Sequence, residues 1–266
     1  MTAPAIRPPR SSLVLPPVVT GRNIRVTFGD NIALDGVDLT VRPGEVVGLL
    51  GHSGSGKSTL MKTLTRLTDF TADELSVAGR DVARQSGSDL RSLRSDVGYV
   101  FQHFNLVPRL SALTNVLTGG LYDAGAVNLI GGFGRTQRIE ALELLRRVGL
   151  EGKASQQSRT LSGGEQQRVA IARTLMQHPK LILADEPVAS LDPRLAGTIL
   201  TLLREIARER QVPVIVSLHV VGLARKYTDR VIGLRDGRIV FNSRAEELNE
   251  EAVSTIYGEH ADIVEQ

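Results

Sequence analysis

The chain has 266 residues, 41% of them hydrophobic and 23% charged, with a formal net charge of +3. That length is near the size at which a single core stops growing, so the expectation is one α/β domain with an embedded subdomain. With no tryptophan and 4% aromatics the composition argues against a stacking platform for single-stranded nucleic acid, and the absence of cysteine excludes disulfides and thiolate metal sites.

Residues 1–20 hold five of the eleven prolines, Arg7 and Arg10, and no acid, which predicts an extended, poorly ordered arm. Pro16 and Pro17 interrupt its only apolar stretch, and no run approaches the roughly 18 apolar residues that span a bilayer, so a soluble cytoplasmic chain is expected. From Gly21 the pattern changes. Arg25 to Phe28 alternates, and Val37 to Val41 alternates again before the turn at Arg42-Pro43-Gly44, predicting two half-exposed antiparallel strands. Glu45 to Leu50 reads as a buried strand, and Lys57 to Leu67 as a helix with Leu60, Met61, Leu64 and Leu67 at helical spacing. Leu75 to Gly79 is a third alternating run, and Gly98 to Gln102 a short strand ending on a polar residue.

From about 103 to 177 the periodicity is mainly helical, with Ile139, Leu142, Leu144, Leu145 and Val148 as an apolar face and a Gly-rich interruption between Gly119 and Gly134. Leu181 to Asp185 and Val212 to Ser217 read as buried parallel strands joined by a helix over about 193–208, as a crossover demands. Arg230 to Leu234, the turn Asp236-Gly237, and Arg238 to Phe241 predict a closing hairpin, and the acidic stretch 246–266 a surface helix and tail.

Three places carry chemistry. Gly51-His52-Ser53-Gly54-Ser55-Gly56-Lys57-Ser58-Thr59 joins the buried strand to the helix, the setting of a phosphate-binding loop. Its glycines let successive N–H groups point at one anion, and the helix N-terminus adds more. Lys57 then lies between the β- and γ-phosphates, and the Ser58 hydroxyl is placed for Mg²⁺. Asp185 and Glu186 end a buried strand, where ligands of open α/β sheets lie. Adjacent carboxylates on extended chain diverge, so one can hold Mg²⁺ while the other faces an attacking water. Ser162, Gly163, Gly164 and Glu165 fit a capping box. By local rules this is either a plain helix start or a second anion site.

The order of these segments, with Gln102 after a strand, Leu161 to Gln167, Ser190-Leu191-Asp192, and His219 after a strand, closely resembles the nucleotide-binding subunit of ATP-binding-cassette transporters over about 21–245. The resemblance implies an α/β P-loop NTPase (RecA-like) core with an antiparallel β-subdomain and an inserted α-helical subdomain at about 103–177. It implies that two subunits sandwich two ATP head to tail, each site joining the phosphate loop of one to Ser162, Gly163, Gly164 and Glu165 of the other. Asp185 and Gln102 would hold Mg²⁺ with Ser58, Glu186 would act as general base, and His219 would contact the γ-phosphate. Asp192 would report across the dimer, and Phe28 matches the position that stacks on adenine. The cofactors implied are ATP and Mg²⁺.

Phe104 to Ser111, Thr114 to Gly119, Ala184 to Asp192 and Leu218-His219 resemble the phosphonate/phosphate-type importer ATPase within that superfamily. This implies a homodimer on the cytoplasmic face of the membrane, partnered by integral-membrane permease subunits and, indirectly, by an extracytoplasmic substrate-binding protein. Another importer class, or a complex that pulls on envelope proteins or releases lipoproteins, stays open as the alternative. A nucleic-acid role is disfavoured by the single phosphate loop and the lack of sustained heptads. His52 departs from a position that is often proline, and residues 121–135 are shorter and richer in glycine than in such relatives.

Overall fold

The computed structural model describes residues 15–102, 104–122, 132–189 and 191–258. The expected arm up to residue 14, the middle of the Gly-rich stretch and the end of the acidic tail lie outside them. The first layer is antiparallel. Strands β1 (Val19–Phe28) and β2 (Asn31–Val41) pair, as expected, and later strands extend the sheet. β1 begins two residues before the boundary expected at Gly21, because Val19 pairs with Val41 and its side chain is buried.

The chain then enters β3 (Val46–Leu50) and α1 (Lys57–Leu64). The helix is shorter than predicted. Arg66 takes left-handed backbone (φ 51°), the Thr65 and Leu67 amides close onto Lys62, and Leu67 is turned out to solvent. β4 (Glu74–Val77) pairs with β1, and β5 (Arg80–Asp81) completes a four-stranded sheet in the order β2-β1-β4-β5. α2 (Gly87–Asp96) leads to β6 (Val97–Val100).

The helical insertion follows as α3 (Ala112–Leu117), α4 (Arg135–Arg147) and α5 (Gly163–Leu175). In α4 the buried residues are Ala141, Leu144 and Leu145, with Val148 just beyond. Ile139 and Leu142, expected on that face, are exposed, since helix geometry carries them away from the stripe through 141, 144, 145 and 148. After β7 (Leu181–Ala184), α6 (Pro193–Arg210) crosses over to β8 (Val214–Ser217). α7 (Val221–Tyr227), the hairpin β9 (Arg230–Arg235) and β10 (Arg238–Arg244), and α8 (Glu250–Tyr257) complete the described fold.

The second sheet runs β10-β9-β3-β8-β7-β6, with β9, β3, β8, β7 and β6 mutually parallel and β10 antiparallel on the edge. Its strands are apolar on both faces, as a covered parallel sheet requires. Val47 and Leu49 face the first sheet and α1, whereas Val46 and Leu50 face the helices α5 to α8. The acidic tail was expected to be a surface helix. The helix α8 is there, with its glutamates outside, and its other face buries Ala252, Val253, Ile256 and Tyr257 in the helix-side core. Among the described residues no helix is long and apolar enough to cross a membrane.

Candidate functional site

The site forms at the carboxyl ends of β3, β6, β7 and β8, where β3 gives way to the glycine loop. Gly51 takes φ 147°, and a Cβ there would lie 2.2 Å from the Leu234 carbonyl oxygen. Gly56, at φ 106°, caps α1, and its Cβ would lie 2.7 Å from the Ala33 carbonyl oxygen. Backbone of this shape, packed this closely, admits only glycine at both positions. The Gly237 amide donates to the Ser55 carbonyl (3.2 Å), tying the loop to the β9–β10 turn. His52 Nδ1 stands 2.6 Å from the Ser53 carbonyl oxygen, and its Nε2 lies 3.7 Å from Asp236 Oδ1. Ser53 and Gly54 form the exposed tip, whereas Ser55 is buried.

Lys57 is 5% exposed and donates Nζ to the carbonyls of Gly51 (2.7 Å) and His52 (3.0 Å). Burial pushes its pKa below the ordinary lysine value, and the nearby carboxylates of Glu186 and Asp185 partly restore it. Ser58 Oγ donates to Asp185 Oδ1 (3.0 Å), so the loop and the end of β7 meet directly. Thr59 follows in the first turn of α1.

Asp185 is held by two groups that sequence reasoning missed. Ser217 Oγ, at the end of β8, donates to Asp185 Oδ1 (3.0 Å), and the Tyr99 hydroxyl, in β6, donates to Oδ2 (3.2 Å). Burial, with Asp185 beside it, pushes the Tyr99 phenol well above its ordinary range, so Tyr99 serves as a fixed donor. The available signal was a hydroxyl residue within or ending an otherwise apolar parallel strand. Ser217 also accepts the Glu186 amide (2.8 Å). Contrary to the expectation from the sequence, the chain is not extended at this pair. β7 ends at Ala184 and Glu186 sits in left-handed backbone (φ 48°), a sparsely occupied region for a non-glycine residue, and its carboxylate has partners different from those of Asp185.

Both oxygens of Glu186 have neighbours. Gln102 Nε2 donates to Oε2 (2.8 Å), and His219 Nε2 stands 2.6 Å from Oε1. Gln102 leaves β6 on a segment pinned from the helical insertion. Arg173 of α5 donates to the carbonyls of Phe104 (3.0 Å) and Asn105 (2.5 Å), and buried Asn115 of α3 accepts the Val107 amide (2.8 Å). The predicted residues Ser58, Gln102, Asp185, Glu186 and His219 therefore form one connected group, with Ser217 joining Asp185 to Glu186, and Lys57 stands beside it within the field of the two carboxylates. Its hard oxygen donors, the Ser58 hydroxyl and the Asp185 carboxylate, are of the type that magnesium takes alongside water and phosphate oxygens.

Three predicted places stand outside that group, with no hydrogen bond or ion pair joining them to it among the described residues. Phe28 ends β1 and is 54% exposed, so it is not a packed strand residue. Asp192 caps α6 by accepting the Leu195 amide (3.0 Å). Ser162 and Glu165 make the reciprocal capping box at the start of α5, and Lys153 pairs with Glu165, holding its carboxyl below the usual range. A Cβ at Gly164 would meet Leu195 and Leu191 at 2.6 and 3.2 Å, whereas one at Gly163 would find its nearest atom at 4.0 Å. The chain's own packing thus explains a glycine at 164 and leaves 163 facing open space. A cleft of about 460 Å³, lined by Gln102, Phe104, Gln166 and Glu186, lies between the first turn of α5 and Glu186.

A family model described as ABC transporter matches residues 34–189. The chain is 46% identical over 252 residues to "Phosphonates import ATP-binding protein PhnC" of Bdellovibrio bacteriovorus, covering 94% of this chain and 97% of the relative. It is 49% identical over 245 residues to "Phosphate-import ATP-binding protein PhnC" of Mycolicibacterium smegmatis, covering 90% and 92%. Among solved structures, the ATP-binding cassette MJ0796, in a dimeric post-hydrolysis state bound to ADP and Pi, matches with a TM-score of 0.77 and 35% identity, over 86% of this chain and 99% of that one.

Proposed function

This chain belongs to the ABC transporter family, and on that premise we propose that it is the ATP-hydrolysing subunit of an importer that moves phosphonate or phosphate through a separate permease. As a member of that family it binds nucleotide. The observation that carries the catalytic reading is Glu186, a carboxylate at a strand end with Gln102 and His219 on its two oxygens and the glycine loop beside it.

On this reading the loop amides and Lys57 hold the β- and γ-phosphates, and Phe28 offers an exposed ring to the adenine. Lys57 exchanges the Gly51 and His52 carbonyls for phosphate oxygens when nucleotide enters. Ser58 and Asp185, with Gln102, would hold Mg²⁺, which when bound supplies charge neutralisation on the phosphoryl oxygens. Tyr99 and Ser217 hold Asp185 in place by donating to its two oxygens. Glu186 takes the proton of the attacking water. His219 leaves Oε1 for the γ-phosphate, which frees that oxygen for the water.

The transition-state charge needs donors beyond those of one chain. Ser162 and the open first turn at Gly163 supply them to the partner's nucleotide, and Asp192 lies at the same interface. The assembly is a homodimer attached to permease subunits on the cytoplasmic face of the membrane and fed by an extracytoplasmic binding protein. The two relatives quoted carry different oxyanions in their names, so the cargo is tested directly. The chain is reconstituted with its permease and receptor, and ATPase activity is measured with the receptor loaded with a phosphonate or with phosphate. Stimulation by one of them names the cargo. Steady ATP turnover indifferent to both would overturn the importer assignment.

A further inference from the structure

The last described helix reaches back to the first residue of the phosphate loop. Tyr257 closes α8, is 4% exposed, and its hydroxyl accepts the Gly51 amide at 3.3 Å, from 206 positions along the chain. Burial pushes its phenol up to about 12, so the acceptor is a neutral hydroxyl near neutral pH. The mount behind it is firm. Asn249 caps α8 at the Ala252 amide (2.9 Å), and Arg225 donates to the Leu248 carbonyl (2.6 Å). Fully buried Ile256 rests on Gly233 of β9, where a Cβ would lie 2.4 Å from it.

Gly51 is thus gripped from two sides, its amide by Tyr257 and its carbonyl by Lys57 Nζ at 2.7 Å. The two grips differ in kind. Lys57 is the group that must turn to the phosphates when nucleotide enters, whereas Tyr257 belongs to a helix that carries none of the chemistry. We propose that Tyr257 is a positioning residue for nucleotide binding: its hydroxyl holds the Gly51 peptide so that the loop keeps its anion-binding curl while Lys57 transfers to the phosphates. The proposal rests on the phosphate-loop reading above. Without the hydroxyl, a buried N–H loses its partner, and the loop rearranges to find another. Binding then draws on the fraction of chains whose loop is still curled, and the apparent Kd rises by the inverse of that fraction.

The test compares the full-length parent with Tyr257→Phe, which keeps the ring and its packing. Calorimetry with Mg-ADP and steady-state ATPase are measured, together with thermal unfolding and amide exchange at Gly51. The expected result is a Kd for ADP about tenfold higher, as when the curled fraction falls to about a tenth. KM for ATP rises in parallel, kcat is unchanged and Gly51 exchanges faster. An ADP affinity within about twofold of the parent overturns the proposal, whatever happens to the melting temperature. Should the variant fail to fold, exchange in the parent decides: slow exchange at Gly51 supports the hold and fast exchange refutes it. A parent that binds no ADP would instead remove the phosphate-loop reading itself.

Discussion

On the proposed reading the chemistry turns on Glu186 and Lys57; Glu186 is set by Gln102, Ser217 and His219, and Lys57 by the carbonyls of its own loop. Glu186→Gln keeps the hydrogen-bonding shape and removes the base. Its ATP turnover is expected to fall about 10²–10⁴-fold with binding retained, and hydrolysis at the parent rate would show that another group takes the proton. Lys57→Ala removes the one cation in the loop, so calorimetry should find tight ATP binding abolished. Burial has lowered the Lys57 pKa, and phosphates favour its charged form, so binding takes up a proton wherever the free lysine is deprotonated. The sign follows: the Lys57 contribution to ATP affinity is fully present at neutral pH and declines as the solution is made alkaline through the lowered value. A Kd that stays flat through the alkaline range would detach Lys57 from the phosphates. The loop itself was legible in the sequence because its residues are contiguous and their chemistry is local. Tyr99, Ser217 and Tyr257 were not, since they reach Asp185 and Gly51 across 86, 32 and 206 positions, the first two brought there by the sheet order and the third by the packing of α8 on the sheet.

At the scale of elements, the start of α5 shows how a local rule and a functional one coincide. The capping box predicted from Ser162 and Glu165 is formed, yet it satisfies a plain helix start equally well; what distinguishes this terminus is the open space at Gly163. Elsewhere a pattern was visible but its cause was not. Gly119 read as part of a loose Gly-rich stretch, whereas the structure sets it against α5, where a Cβ would lie 2.1 Å from the Arg173 carbonyl oxygen. Arg173 is also the residue that pins the segment following Gln102. Gly119→Ala should therefore destabilise the protein by about 1–3 kcal/mol, the usual cost of overpacking against fixed backbone. An unchanged melting temperature would mean that the turn after α3 does not make that contact with α5. The same lesson holds for α4 and α8. Periodicity identified both helices, but which side chains are covered depends on neighbours that no window of sequence contains: Ile139 points out, and Ile256 points in.

For the whole molecule, the proposed reading puts the two halves of the site on different copies. Ser58, Asp185, Glu186 and His219 form one connected group with Lys57 beside it, and among the described residues no hydrogen bond or ion pair joins that group to the start of α5. A chain with no cysteine allows the meeting of these parts to be tested without background. Cysteines are placed at Ser53, on the exposed tip of the loop, and at Gly163, where there is room for a side chain, and oxidation is followed with and without Mg-ATP. In the Glu186→Gln background, which retains nucleotide, a disulfide-linked dimer is expected to form with ATP and not with the apo chain. Monomer alone, from protein shown to hold ATP, would contradict the head-to-tail site.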